Sequence, residues 1–357
     1  MYRPVRRRSA RPCLWGGELN TQATPLPPAP PTGTPVLSVR ELSTVFYSRS
    51  GPLTAVDQVS FDVQEGEVVA LVGESGSGKS VTALSIMGLL DSRVASTTGG
   101  TIEFEGVDLR TMPEHALCHL RGNRIAMIFQ EPMTSLNPSL TIGRQLTEGL
   151  EVHRGIRHHD ALRQAEVLLG SVGISDPARR LGAFPHEMSG GMRQRVMVAM
   201  ALSCKPRLLI ADEPTTALDV TTQAQILDLI KTLTAQSGTA VVLITHDLGL
   251  VARYAQRVNV MYSGRLVEQA SVHRLFEQPR HPYTRGLLAS MPRLDLPRQE
   301  SLLAIEGLPP NLDERDAGCA FRARCPLAAA RCSETQPWVE VAPGHRAACW
   351  RAEGCVS

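Results

Sequence analysis

Residues 67–80 read EVVALVGESGSGKS. An apolar run, Glu67–Val72, ends in a glycine-rich turn, and a helical stretch, Lys79–Leu90, opens directly after it. The spacing Gly73-Glu74-Ser75-Gly76-Ser77-Gly78-Lys79-Ser80 is that of a phosphate-binding loop set between a strand and a helix. Glycines let the backbone wrap an anion with its N–H groups pointing inward. The helix that follows turns its positive N-terminal end toward the same place. Lys79 then adds a cation for the β- and γ-phosphates, and the Ser80 hydroxyl can ligate Mg²⁺. The stretch predicts a nucleotide site on an α/β domain.

Outward from this loop the texture is consistent. Leu37–Phe46 and Val59–Val63 read as strands, as do Ile125–Phe129, Arg207–Ala211, Val241–Thr245 and Val258–Tyr262. Helical stretches lie between them, notably Asp160–Val172, Gly190–Ser203 and Thr221–Gln236. Strands alternating with helices predict a largely parallel sheet. Residues 1 to about 35 read as a disordered Pro/Arg-rich leader, with prolines at 25, 27, 28, 30, 31 and 35 and little that could form a core. After about residue 271 Pro, Arg and Cys increase, which marks an appended region, 271–357.

The chain has 357 residues, 43% of them hydrophobic, enough for a large domain and a smaller one. A net charge of +2 argues against a nucleic-acid surface, which needs clustered Lys and Arg. No apolar run approaches the roughly 20 residues of a membrane span, and no apolar segment follows the Arg-rich start to make a secretory signal. The chain is expected to stay in the cytoplasm and to meet a membrane only through partners.

Leu208-Leu209-Ile210-Ala211-Asp212-Glu213-Pro214 is an apolar strand ending in two acids. Such a strand delivers them to the carboxyl edge of the sheet, where ligands bind in open α/β folds. Asp212 is placed to hold the Mg²⁺ shell and Glu213 to polarise an attacking water. Met188-Ser189-Gly190-Gly191-Met192-Arg193-Gln194-Arg195 precedes a helix with no acid in its first turn. Ser189 can cap it, and two glycines let another molecule approach an end that suits an anion. One chain already has its own phosphate loop, so this second anion site is best used in trans.

The Ser-Gly-Gly segment resembles the signature of ABC ATPases. The order phosphate loop, Gln130, signature, Asp212-Glu213, Ala217-Leu218-Asp219, His246 is similar to that family over about residues 36 to 270. The resemblance implies an ABC-type P-loop NTPase with a RecA-like core, an antiparallel β-subdomain and a helical subdomain at about 131–205. It implies head-to-tail dimers with two ATPs between them. Gln130 is then the lid residue that senses Mg²⁺ and the membrane partner, Asp219 crosses the dimer interface, and His246 holds the γ-phosphate. An aromatic on the first strand is expected to stack on adenine: Phe46 by position, Tyr47 next. Met188 and Met192 stand where leucine and glutamine are common in the family.

Gln130–Pro138, Phe184-Pro185-His186-Glu187 and His281-Pro282-Tyr283-Thr284 resemble segments of the oligopeptide/dipeptide importer ATPases. In structural terms His281–Thr284 reads as a proline turn with an aromatic anchor. Cys319, Cys325, Cys332 and Cys349 resemble the cysteine-rich tail of that subfamily, some members of which carry a [4Fe-4S] cluster. Four thiolates suit such a cluster or tetrahedral zinc, with plain thiols as the third option; Cys355 is spare. The subfamily implies two transmembrane permease subunits, a second ABC ATPase as homo- or heterodimer partner, an extracytoplasmic substrate-binding protein, and a peripheral place on the cytoplasmic face of the inner membrane. Importers of nickel complexes or glutathione, and soluble mechanochemical ABC ATPases, are the competing readings.

Overall fold

In the computed structural model the described residues are 33–49, 51–131, 135–216, 218–291, 305–311 and 318–353. Nearly all of the expected leader, and Cys355, lie outside them.

The described strands form two sheets. The smaller contains β1 (Leu37–Ser48), β2 (Gly51–Val63), β4 (Ala95–Phe104) and β5 (Val107–Asp108), all antiparallel, in the order β2-β1-β4-β5. The larger is centred on β3 (Val68–Val72). From one edge it runs β6 (Ile125–Ile128), β7 (Leu208–Asp212), β8 (Ala240–Thr245), β3, β9 (Arg257–Tyr262), β10 (Arg265–Ser271), β12 (His345–Ala347) and β11 (Val339–Ala342). The five strands from β6 to β9 are parallel. Every residue of β7 and β8 is buried, as continuous apolar runs covered on both faces must be.

Parallel pairing fixes where the site lies. Val72 is opposite Thr245, Asp212 opposite Ile244 and Ile128 opposite Ala211. The carboxyl ends of β3, β6, β7 and β8 therefore meet at one edge, and Gly73, Gln130, Glu213 and His246 follow just beyond them.

Three buried clusters hold the layers together. One joins the antiparallel sheet to the main sheet around Leu37, Phe61, Leu71 and Ile210. A second packs the helices Ile142–Arg154, His158–Ser171 and Gly190–Leu202 on the other face, around Ile142, Leu146, Val196 and Leu243. The third ties the C-terminal region to β3 and β9 through Val260, Tyr262, Tyr283 and Phe321. That region also continues the main sheet, since Glu268 of β10 pairs with Ala347 of β12.

The His281–Thr284 segment is a helix start, which corrects the reading as a proline turn. His281 caps the helix Pro282–Ala289 by accepting from the Tyr283 N–H, and Pro282 sits at the first position, where its missing N–H costs nothing. The phosphate-loop helix is shorter than read, Lys79–Met87, because Gly88 ends it in a left-handed cap at φ 62°.

Candidate nucleotide site

The phosphate loop is built by glycines at two points of close approach. Gly73 has φ 155° and Gly78 φ 99°; a Cβ on Gly73 would lie 2.1 Å from the Met261 carbonyl oxygen, and one on Gly78 2.7 Å from that of Ala55. No side chain caps the helix that follows, and its first turn holds no acid, so its leading N–H groups stay available to an anion. Lys79 is buried, donating to the carbonyls of Gly73 (2.8 Å) and Glu74 (2.9 Å) and to Ser77 Oγ (3.3 Å). Burial lowers its pKa, while Glu213, Asp212 and Glu74 oppose that shift.

Ser80 Oγ donates to Asp212 Oδ1 at 3.1 Å, so a hydroxyl and a carboxylate sit side by side as hard oxygen donors, a set that fits Mg²⁺. Burial raises the Asp212 pKa and the Glu213 charge adds to it, against the hydrogen bond from Ser80.

Glu213 gathers the remaining groups. Its backbone is left-handed, φ 45°, and its N–H donates to the Ile244 carbonyl at 3.0 Å. Its Oε2 accepts from Gln130 Nε2 (3.0 Å) and Thr216 Oγ1 (2.9 Å), and its Oε1 lies 3.3 Å from His246 Nδ1. Two of the residues picked from sequence, Gln130 and His246, thus converge on the carboxylate of a third, Glu213. Thr216 was not among them; its only signal is its place three residues after Glu213.

The other predicted residues lie elsewhere. Ser189 caps the helix Gly190–Leu202, its Oγ accepting from Met192 N–H at 3.3 Å. Ser189 and Gly190 are exposed, and a Cβ on Gly191 would lie 3.3 Å from Thr222 Cγ2. Asp219 caps the helix Val220–Ser237, and the Thr222 N–H that it accepts holds its carboxyl below the usual range; Ala217 is outside the described residues. Buried Gln194 donates to the Pro214 carbonyl, tying the signature helix to the loop after Glu213. Phe46 is half-buried on β1, and Tyr47 is 54% exposed with its hydroxyl on Ser96. Met188 is buried in the helical cluster and Met192 packs against it. Of the lid segment, residues 132–134 lie outside the described ones.

Comparison with known proteins settles the family. A model described as "ABC transporter" matches residues 56–216, and one described as "Oligopeptide/dipeptide transporter, C-terminal region" matches 267–332. A probable peptide ABC transporter ATP-binding protein, y4tR of Sinorhizobium fredii, is 54% identical over 90% of this chain and 96% of its own. The oligopeptide transport ATP-binding protein AppD of Bacillus subtilis is 52% identical over 85% and 92%. The chain belongs to the ABC transporter ATP-binding proteins. Among solved structures, this ABC ATPase is similar to the dimeric cassette MJ0796 bound to ADP and Pi, with a TM-score of 0.59 and 29% identity over 66% of this chain and 98% of that one. It is also similar to cbiO1 of Clostridium perfringens, with a TM-score of 0.58 and 26% identity over 68% and 91%.

In this ABC ATPase, Cys319, Cys325, Cys332 and Cys349 line one small cavity with Phe321 and Trp350. The Cys319 N–H donates to the Cys332 carbonyl at 2.9 Å, and burial pushes the Cys319 thiol pKa up. Arg331 stacks on Trp350 at 3.7 Å from the ring centre. Among the described residues no disulfide joins these cysteines and no three ligand-type residues are grouped as for a single metal ion. Four thiols about one cavity, with Arg322, Arg331 and Arg351 also on its wall, fit an anionic iron–sulfur cluster by donor type and charge. Among the described residues no helix is long and apolar enough to cross a membrane.

Proposed function

We propose that this chain is the ATP-hydrolysing subunit of a dipeptide or oligopeptide importer. The observation that carries the catalytic part is Glu213, held by Gln130, Thr216 and His246 beside the Ser80–Asp212 pair. The names of the relatives, peptide, oligopeptide and dipeptide transport ATP-binding proteins, favour the peptide class over nickel complexes or glutathione.

Backbone N–H groups of Ser75–Lys79 hold the β- and γ-phosphates, with Ser75, Gly76 and Ser77 forming the floor of the loop and Lys79 adding charge. Ser80, Asp212 and Gln130 would hold Mg²⁺, which would supply charge neutralisation for the phosphates. Glu213 orients water and takes its proton as the oxygen attacks the γ-phosphorus; the bond to the β-γ bridging oxygen breaks and ADP leaves with that electron pair. His246 steadies the γ-phosphate, and Phe46 stacks on adenine. Ser189, Gly190 and Gly191 complete the site of a second copy or related ATPase, and Asp219 crosses that interface. Closure of the dimer on ATP and reopening after hydrolysis drive two permease subunits at the cytoplasmic face of the inner membrane, fed by an extracytoplasmic binding protein. The four cavity cysteines hold a [4Fe-4S] cluster.

The test is capture of the tagged chain from gently solubilised native membranes, followed by mass spectrometry. Two multi-span proteins, a second ATPase and a binding protein are expected. Ribosomal or DNA-repair proteins without membrane subunits contradict the transport reading. Iron and sulfide assayed after anaerobic purification test the cluster; neither above background ends it.

A further inference from the structure

The phosphate loop carries a carboxylate, Glu74, where polyphosphate is to bind, and two residues from the C-terminal region take hold of it. Arg324 grips it as a fork, Nη1 to Oε2 at 2.7 Å and Nη2 to Oε1 at 3.1 Å. The Arg324 side chain is 6% exposed. Its remaining donors are fixed on the carbonyls of Glu306 (2.9 Å) and Ile305 (3.2 Å) and on the Tyr262 hydroxyl (3.3 Å). The guanidinium also lies over the rings of Tyr262 and Phe321. The Glu74 N–H donates to the hydroxyl of fully buried Tyr283 at 2.8 Å, whose ring packs against Tyr262 and Phe321. The Glu74 carbonyl accepts from Lys79 Nζ. Glu74 was grouped with the nucleotide-binding residues from sequence; its N–H and its carboxylate are both committed to the C-terminal region.

We propose that Arg324 and Tyr283 are positioning residues of the nucleotide site. Arg324 neutralises the loop carboxylate that otherwise repels the phosphates, and Tyr283 fixes the peptide unit whose carbonyl holds Lys79. The C-terminal region is thereby part of the ATP site as well as an appendage to it. Its cysteine-bearing segment is wired to the loop, since Arg324 lies in the tight turns between Cys319 and Cys325. A bidentate guanidinium–carboxylate pair that is mostly buried is among the stronger polar contacts, and removing one partner leaves an uncompensated charge. The inference rests on the loop binding ATP.

The test is equilibrium binding of Mg-ATP by the full-length chain in a Glu213→Gln background, which holds turnover down, with thermal melting alongside. Arg324→Met is expected to weaken ATP binding about tenfold. Arg324→Lys, which keeps the charge and loses the fork, recovers part of this. Adding Glu74→Gln to Arg324→Met removes the unpaired carboxylate and restores binding to within about threefold of the parent. Tyr283→Phe, which deletes only the hydroxyl, weakens binding about threefold. Arg324→Met that melts earlier yet binds ATP like the parent, or a double variant no better than Arg324→Met, overturns the proposal. Failure of the parent itself to bind ATP, with Lys79→Ala no different, would instead overturn the ATPase reading on which it rests.

Discussion

Gln130 and Glu213, 83 positions apart in sequence, are joined by a hydrogen bond of 3.0 Å from Gln130 Nε2 to Glu213 Oε2. Each follows the carboxyl end of its own strand, and β6 and β7 are parallel neighbours, so the sheet alone brings them together. The contact links the lid segment to the carboxylate that would activate water.

Glu213→Gln is isosteric and keeps a partner for Gln130 and Thr216, but it cannot accept a proton. ATP binding is expected to stay within about threefold of the parent while turnover falls by about two orders of magnitude or more. Single-turnover ATPase assays with a filter-binding control check this. Near-normal turnover would remove Glu213 from its assigned role.

The phosphate loop and the two acids were legible because their chemistry is local. Gly73 and Gly78 cannot carry a Cβ in this loop, and an apolar strand ending in acids has one sensible place to put them. Much else was not legible. β4 reads ASTTGGTIEF, too polar and glycine-rich to stand out as a strand; it exists because β1 and β5 pair with it. Gln194 carries no spacing signal of its own, and Thr216 only its place three residues after Glu213. Glu74 and Arg324 are separated by 250 positions, and nothing local to either predicts the other. The His281–Thr284 segment was legible as a family marker, but its helical form and its reach to the phosphate loop follow from packing against Tyr262 and Phe321.

Asp212 trades stability for function. Its folded pKa is raised by burial, so the folded state favours the protonated form. The stability present below the ordinary carboxylate pKa is lost as pH rises through the raised folded one. Asp212→Asn is expected to raise the melting temperature of the metal-free chain by about 2 °C while abolishing Mg²⁺-dependent hydrolysis. Calorimetry and an ATPase assay over a Mg²⁺ series check both halves; a lower melting temperature would contradict the burial argument.

His281 makes the C-terminal region acid-sensitive. It is fully buried, its Nδ1 accepts from the Tyr283 N–H at 3.1 Å, and burial lowers its pKa to about 4 from 6.5, against the pull of Glu268. With the folded pKa depressed, its stabilising contribution is complete above pH 6.5 and is lost as pH falls from there toward 4, by roughly 3 kcal/mol at most. Hydrogen exchange is expected to show the Pro282–Ala289 helix losing protection in that window. His281→Asn, which keeps a capping acceptor without the titration, flattens the dependence. Equal pH sensitivity in the variant would place its source elsewhere.

His246 meets Glu213 at 3.3 Å with its ring largely exposed, so its removal leaves no cavity and no buried charge. His246→Ala is expected to leave melting within about 0.5 kcal/mol of the parent and to cut turnover by about two orders of magnitude. A loss of melting without a loss of turnover would mark it as structural.

The most direct test of the account is uptake of labelled di- and oligopeptides by the native host with this chain deleted. Uptake is expected to be lost, the wild-type chain to restore it, and Glu213→Gln not to restore it although it still sediments with the membrane. Unchanged uptake after deletion, in a host with no second copy of the system, or full restoration by Glu213→Gln, would contradict it.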